Sequence, residues 1–140
     1  PTRDKMAPMA AERGEMERRE FVRIRAALPV RYVFLDSKGD RLPPGVSEGA
    51  SGNLSAGGLL LQGRIPELSW VPELLTQRMA MAVSLSLPGE FRPVETVARV
   101  AWIETIEPAS HRCSLGLTFR EITREDQDRV FRFVVRSQLT

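Results

Sequence analysis

The sequence predicts an all-β fold: a small barrel of five or six antiparallel strands, closed by one C-terminal helix. Short segments in which apolar and polar residues alternate recur along the chain, and residues typical of turns separate them. One segment with helical periodicity follows the last of these strands. Short strands joined by turns are typical of a small barrel, and 140 residues with 42% hydrophobic content provide one domain with its own core.

A tail and a charged leader are predicted ahead of the barrel. Residues 1–16 lack periodicity and are expected to form a flexible tail, followed by one domain over residues 17–140. Residues 17–25 are highly charged and read as a turn-like leader. Three apolar side chains are expected to hold this leader on the barrel while its arginines stay free: Phe21, Val22 and Ile24.

Five segments alternate clearly enough to be predicted as strands. In order along the chain they cover residues 26–36, 59–62, 79–87, 94–104 and 110–119. The third alternates throughout, and its buried face is predicted to consist of Met79, Met81, Val83, Leu85 and Leu87. In the segment 26–36, the residues predicted to share the buried face are Val30, Tyr32 and Phe34.

The remaining segments are predicted to be turns, loops and helices. Residues 37–40 form a turn, and residues 41–51, with two prolines and two glycines, form a long loop. The stretch 66–78 contains a short helix that has Pro72 in its first turn.

A longer helix is predicted at the C-terminal end, from residue 123 to about residue 138. Thr123 and Asp126 resemble a capping box in which Asp replaces the usual Glu. The apolar stripe of this helix consists of Val130, Phe133 and Val134, broadened by Phe131 and Val135.

The charged residues favour a small anionic ligand over long nucleic acid. Lys and Arg together number 20 against 18 Asp and Glu, and only Lys5 and Lys38 are lysines. Arginine suits bidentate recognition of phosphate groups and guanine edges, although arginine-rich composition also follows from genomic base usage. A net charge of +2 is too small to favour non-specific binding to long nucleic acid.

The single cysteine and the hydropathy pattern lead us to expect a soluble, cytoplasmic protein. Cys113 has no partner for an intrachain disulfide, which indicates a reducing compartment. No uninterrupted apolar stretch is long enough to cross a membrane, and no signal peptide is visible.

A short polar segment, Asn53-Leu54-Ser55-Ala56-Gly57-Gly58, is the first candidate for a binding site. Residues i and i+2 of an extended chain point to the same face, so Asn53 and Ser55 are expected to lie side by side. Gly58 allows close approach of another group. A turn between two strands explains the same composition.

A cluster of arginines upstream is the second candidate. Arg19 and Arg23 are four residues apart, and Arg18 immediately precedes them. The same spacing recurs towards the C-terminus, where it places two arginines on one helix face, so a solvated charged leader is the alternative interpretation. Together, the two segments offer guanidinium groups for phosphates and base edges and small polar groups for the other edges of a guanine.

These segments resemble the PilZ domain family, which comprises bacterial receptors for the second messenger cyclic di-GMP. The family pattern is Arg-x-x-x-Arg followed downstream by Asp or Asn-x-Ser-x-x-Gly, and this chain matches both parts. The segment Leu28-Pro29-Val30 and the segment Leu115-Gly116-Leu117-Thr118-Phe119 before a closing helix also match. The resemblance covers residues 17–139, and it implies a six-stranded antiparallel β-barrel with a C-terminal α-helix.

The resemblance also implies roles for individual residues. Arg19 and Arg23 would grip phosphate and guanine, while Asn53, Ser55 and Gly58 would receive a guanine and its ribose-phosphate. In the family, an arginine before the pair is associated with an intercalated ligand dimer, so Arg18 leads us to expect two cyclic di-GMP molecules per chain. The loop 41–51 and the insertion 66–78 are less typical, and their roles stay open.

Three other side chains are candidates for binding or catalysis, namely Trp102, His111 and Cys113. Trp102 is a possible stacking partner for guanine, but Val94, Ala98 and Val100 share its predicted face, which favours a core position. His111 and Cys113 are two residues apart, and no second His or Cys exists to complete a metal site. No orienting group or oxyanion donor accompanies them either, so we expect a protein that is not an enzyme and binds no metal or cofactor.

The leading hypothesis is therefore a receptor that binds cyclic di-GMP and relays the signal to a downstream protein. The leader 17–25 would become ordered over the ligand and change a surface presented to that partner. The alternatives are a protein-interaction adapter with the same barrel that binds no nucleotide, and a barrel for single-stranded nucleic acid. The latter lacks a basic groove with interleaved aromatics. A monomer or weak dimer is expected.

Overall fold

The computed structural model describes residues 22–139, which contain seven strands and two α-helices. The strands are β1 (Arg23–Arg25), β2 (Pro29–Leu35), β3 (Ser47–Ser55), β4 (Gly58–Arg64), β5 (Ala80–Leu85), β6 (Val94–Ile106) and β7 (Arg112–Glu121). The helices are α1 (Val71–Leu75), which follows a 3₁₀ turn at Leu68–Trp70, and α2 (Arg124–Gln138). The predictions for residues 1–16 and for Arg18, Arg19 and Phe21 lie outside the described residues. None of the helices in the described range is long and apolar enough to cross a membrane.

Six of the strands close into an antiparallel barrel, as predicted. The order around the barrel is β3–β2–β5–β6–β7–β4, and β4 pairs with β3 to close it. The seventh strand, β1, pairs with the same side of β3 as β2 does. β2 pairs with the first half of β3, and β1 pairs with its last three residues. The fold thus consists of a six-stranded barrel, one outer strand and a C-terminal helix.

The predicted alternation selects the residues that fill the barrel. Val30, Tyr32 and Phe34 of β2 are buried, and so is the whole predicted face from Met79 to Leu87. Leu74 of α1 and two residues of α2 join the same core, namely Val130 and Val134. Because alternate residues of each strand face inward, a one-residue shift in register would expose this entire set, which strongly constrains the pairing.

Two predicted loop segments are in fact strands. The sequence predicts a turn-like leader at Arg23–Arg25, but these residues form β1, and Ile24 packs against the core as expected. The predicted loop over 41–51 ends early, because β3 begins at Ser47. The first four residues of β3 include a glycine and no large apolar side chain, so they show no alternation that sequence alone would reveal.

Helix α2 begins with half of the predicted capping box. The side-chain oxygen of Thr123 accepts a hydrogen bond from the backbone N–H of Asp126 at 3.0 Å. The Asp126 carboxylate instead accepts hydrogen bonds from Arg129 at 2.8 Å and Arg92 at 3.2 Å. Arg129 also pairs with Glu90 at 2.7 Å, so this network ties α2 to the β5–β6 loop.

Candidate functional site

Strand β1 brings the arginine segment and the Asn-x-Ser segment together. Arg23 lies directly opposite Ser55, and Arg25 directly opposite Asn53. Directly opposed residues of antiparallel strands point to the same face. Leu54 between them is fully buried and faces the core, so Asn53, Ser55 and the two exposed arginines all lie on the outer face. The expectation that Asn53 and Ser55 share a face is confirmed.

Ser51 holds β1 in this position, a role that the sequence did not indicate. Its hydroxyl accepts a hydrogen bond from the backbone N–H of Leu28 at 3.0 Å and donates one to the carbonyl of Ala26. The backbone N–H of Ser51 also donates to the carbonyl of Leu28 at 3.0 Å. These bonds fix the bend between β1 and β2, so β1 continues along β3 rather than leaving the sheet.

The polar segment is also a turn, as its alternative interpretation suggested. β3 ends at Ser55 and β4 begins at Gly58, which leaves a two-residue connection. The Ser55 hydroxyl accepts a hydrogen bond from the backbone N–H of Gly57 at 3.2 Å and donates to the carbonyl of Gly58 at 3.4 Å. The Gln127 side chain of α2 donates to the carbonyl of Ala56 at 3.0 Å, so the C-terminal helix supports the tip of this hairpin.

Gly58 allows close approach of another group, as expected, but in this structure that group is the backbone of the neighbouring strand β7. A Cβ atom at this position would lie 2.0 Å from the carbonyl oxygen of Leu117 on β7. No side chain fits there without separating β4 from β7. The glycine of the motif therefore has a structural role in the barrel in addition to any contact with a ligand.

Trp102 lies on the outer face and not in the core, so its predicted core position is wrong. The register between β6 and β7 shifts between Val100 and Trp102, and this β-bulge reverses the alternation beyond Val100. Ile103 now packs against the core, while the Trp102 side chain is 41% exposed. Its indole lies directly over Gly116, where a Cβ atom would lie 2.0–2.4 Å from three ring carbons.

The register places these side chains in two adjacent rows across five strands, which we call the outer site face. Both rows cross β1, β3, β4, β7 and β6 in that order. One row consists of Arg23, Ser55, Gly58, Thr118 and Arg99, and the other of Arg25, Asn53, Leu60, Gly116 and Trp102. The face therefore combines guanidinium groups, small polar groups and one exposed indole.

A cavity of about 110 Å³ marks the centre of this face, between Arg23, Ser55, Gly58 and Trp102. Two larger clefts lie elsewhere on the barrel. One, of about 770 Å³, crosses the outer sides of β2, β5 and β6, and the other, of about 1080 Å³, lies near Arg64 and Arg112. Of these three cavities of the described residues, the smallest is the one whose lining combines guanidinium, hydroxyl and indole groups, so we assign the candidate site to it. A ligand held on an open face needs no deep cavity.

The remaining candidate residues have structural surroundings. The Nδ1 atom of His111 lies 3.0 Å from the carbonyl of Ile65 and 3.1 Å from that of Pro66. Cys113 is buried, and burial raises the pKa of its thiol to about 11, which keeps it protonated at neutral pH. Among residues 22–139, no three His, Cys, Asp or Glu side chains are grouped as they would be to hold a metal ion.

The chain belongs to the PilZ domain family, whose model matches residues 17–136. The resemblance identified from the two motifs is thereby confirmed, and the six-stranded barrel with its C-terminal helix agrees with it. No match was found among curated proteins.

Several solved structures share this fold. The inhibitor of motility MotI (DgrA) from Bacillus subtilis is 26% identical, with a TM-score of 0.61, and the match covers 86% of this chain. This chain spans 51% of the length of that protein. The PilZ domain of YcgR from Escherichia coli, solved with c-di-GMP, is 16% identical with a TM-score of 0.51, over 87% of this chain and 92% of that domain. The PilZ domain of CeSA from a cellulose-synthesizing bacterium is 20% identical with a TM-score of 0.51, over 83% and 97% of the two chains.

Proposed function

We propose that this protein binds cyclic di-GMP on the outer site face and relays the signal to a partner protein. The observation that carries the proposal is the register of β1 and β3, which places Arg23 opposite Ser55. Both residues line one cavity together with Trp102 of β6. Membership of the PilZ family and the cyclic di-GMP complex of the E. coli relative support the choice of ligand.

Each motif residue has a chemical role in this proposal. Arg23, together with Arg19, neutralises phosphate charge and donates bidentate hydrogen bonds to the O6/N7 edge of a guanine. Asn53 supplies an amide, with both donors and an acceptor, for the other polar edges. The Ser55 hydroxyl already makes two hydrogen bonds within the turn and retains one lone pair as an acceptor.

Trp102 provides a stacking surface for one guanine. One side of its indole lies on Gly116, and the side chain remains 41% exposed. Stacking of a base on an aromatic side chain contributes about 1–3 kcal/mol. Because one side of the ring contacts Gly116, a bound base would stack on the other side, next to the cavity that Arg23 also lines.

The number of ligands and the relay mechanism extend this proposal. Arg18, the arginine before the pair, leads us to propose two cyclic di-GMP molecules per chain. Arg23–Arg25 already pairs with β3, so the change on binding is proposed for residues 17–22, which precede this strand. The leader would close over the ligand and alter the surface presented to the partner. We further propose that the protein is cytoplasmic, has no enzymatic activity and is a monomer or weak dimer.

Calorimetric titration with cyclic di-GMP tests the proposal, with GTP and cyclic di-AMP as control ligands. Arg23→Ala removes charge-assisted hydrogen bonds, each of which contributes about 1.5–3 kcal/mol, so we expect affinity to fall by a factor of about ten or more. Arg31→Ala is the matched control, because Arg31 is an exposed arginine on β2 outside the two rows. Affinity that is unchanged by Arg23→Ala would contradict the assigned site, and a folded protein that does not bind cyclic di-GMP would favour the adapter.

A further inference from the structure

The bulge that turns Trp102 outward lies where β6 loses one of its two neighbours. The pairing of β6 with β5 ends at Met81 opposite Ala98. The carbonyl of Val100, at the start of the bulge, therefore lies beyond the ladder of hydrogen bonds between these two strands. A backbone carbonyl in a sheet needs a donor, and here no strand of the described chain continues on the β5 side to supply one.

The side chain of Gln77 supplies this donor. Its Nε2 atom donates a hydrogen bond to the carbonyl of Val100 at 3.1 Å. Gln77 follows α1, in the insertion between β4 and β5, and its backbone has a φ of 66°, a left-handed conformation that is uncommon for residues other than glycine. The backbone N–H of Gln77 donates to the carbonyl of Leu74, a fully buried residue of the core, so the position of Gln77 is anchored.

We propose that Gln77 is a positioning residue for the ligand-stacking side chain Trp102. By bonding the Val100 carbonyl it holds the bulge in place, and the bulge directs the indole outward, over Gly116. This inference rests on the proposed stacking role of Trp102, and it gives the insertion between β4 and β5 a function in ligand binding. Gln77 itself belongs to neither of the two rows and does not line the cavity between Arg23 and Trp102.

The first test needs no ligand. In the wild-type protein we expect nuclear Overhauser contacts between the Trp102 ring protons and the α-protons of Gly116, since the two groups are in direct contact. Gln77→Ala removes the donor, so these contacts weaken or disappear and the Trp102 indole N–H resonance shifts. Gln62→Ala, an exposed glutamine on β4, is the matched control and leaves both unchanged. Contacts that persist in Gln77→Ala would overturn the proposal.

A double-mutant cycle on affinity gives the second test. We expect Gln77→Ala to weaken cyclic di-GMP binding by up to about tenfold, a part of the stacking contribution. In a Trp102→Ala background the same substitution should have no further effect, because its only route to the ligand is gone. Equal losses in both backgrounds would show a general structural effect and overturn the proposal. If the wild-type protein does not bind cyclic di-GMP, the proposed function fails, and the Overhauser contacts still decide whether Gln77 positions Trp102.

Discussion

Alanine substitutions at Gly58 and Gly116 are expected to differ in their effect on stability, although the two steric overlaps are the same size. A Cβ atom at either position would lie 2.0 Å from its nearest obstacle, whereas real Cβ contacts are essentially never shorter than 3.0 Å. Each substitution therefore forces a displacement of at least about 1 Å. The obstacles differ: at Gly58 it is the backbone carbonyl of Leu117, and at Gly116 it is the indole of Trp102.

At Gly58 the backbone must give way. β4 and β7 have to separate where Gly58 pairs with Thr118, and the adjacent hydrogen bond from the Phe119 N–H to the Gly57 carbonyl, 2.9 Å long, is strained as well. Overpacking costs about 1–3 kcal/mol, and each weakened backbone hydrogen bond about 1 kcal/mol. We expect Gly58→Ala to lower the free energy of unfolding by about 2–4 kcal/mol.

At Gly116 a surface side chain gives way. The Trp102 indole is partly exposed and can swing into solvent, so the barrel stays intact. The lost contact is partly offset because alanine reduces the conformational entropy of the unfolded chain. We expect Gly116→Ala to lower the free energy of unfolding by less than about 1 kcal/mol, while binding of cyclic di-GMP weakens through the loss of the stacking surface.

Urea unfolding followed by circular dichroism measures both changes in stability, and it does not depend on the altered Trp102 fluorescence. Calorimetric titration then measures affinity for the Gly116 variant, which remains folded. Equal losses of stability in the two variants, or a loss below about 1 kcal/mol for Gly58→Ala, would refute the distinction between backbone and side-chain obstacles.

Three further predictions concern α2 and the core. Burial opposes ionisation of Asp126, but the hydrogen bonds from Arg129 and the Glu95 backbone and the charge of Arg92 lower its pKa below the ordinary 3.8. Its contribution to stability is therefore present above about pH 4 and is lost as pH falls through the lowered pKa, so melting temperatures of wild type and Asp126→Asn should converge in acid. Gln127→Ala removes the hydrogen bond to the hairpin tip and should cost about 1 kcal/mol in urea unfolding. Cys113 should react with iodoacetamide at pH 8 only after unfolding, because burial raises the pKa of its thiol to about 11.

Each of these three has a contradicting result. A constant difference in melting temperature between wild type and Asp126→Asn from pH 7 to pH 3 would mean that Asp126 does not titrate as inferred. For Gln127, the exposed residue Gln62 on β4 provides the control, and equal stabilities of the two alanine variants would remove the support assigned to α2. Alkylation of Cys113 in the folded protein at the rate of a free thiol would contradict the third prediction, because it would show that the core around Cys113 opens readily to solvent.

Local pattern explains most of what could be predicted from the sequence. The alternation in β2 and β5 identified both the strands and their buried faces, because residue spacing on a strand decides which side chains share a face. For the Asn53–Gly58 segment, the sequence left a polar face and a turn as alternatives, and the structure shows both. The family and the barrel followed from two short motifs together with the order of the strands.

The sequence by itself therefore determined most of the strands, the core faces of β2 and β5, the family and the motif residues proposed to bind the ligand. Only the tertiary structure decided which of these residues meet. Arg23 lies opposite Ser55 because Ser51 fixes the bend between β1 and β2, and Trp102 faces outward because a bulge, bonded by Gln77, reverses the alternation of β6. The hydrogen bonds of Ser51 and Gln77 join residues 23 positions apart. No local pattern encodes them, since the hydrogen-bonding partner of a backbone group depends on how the whole barrel closes.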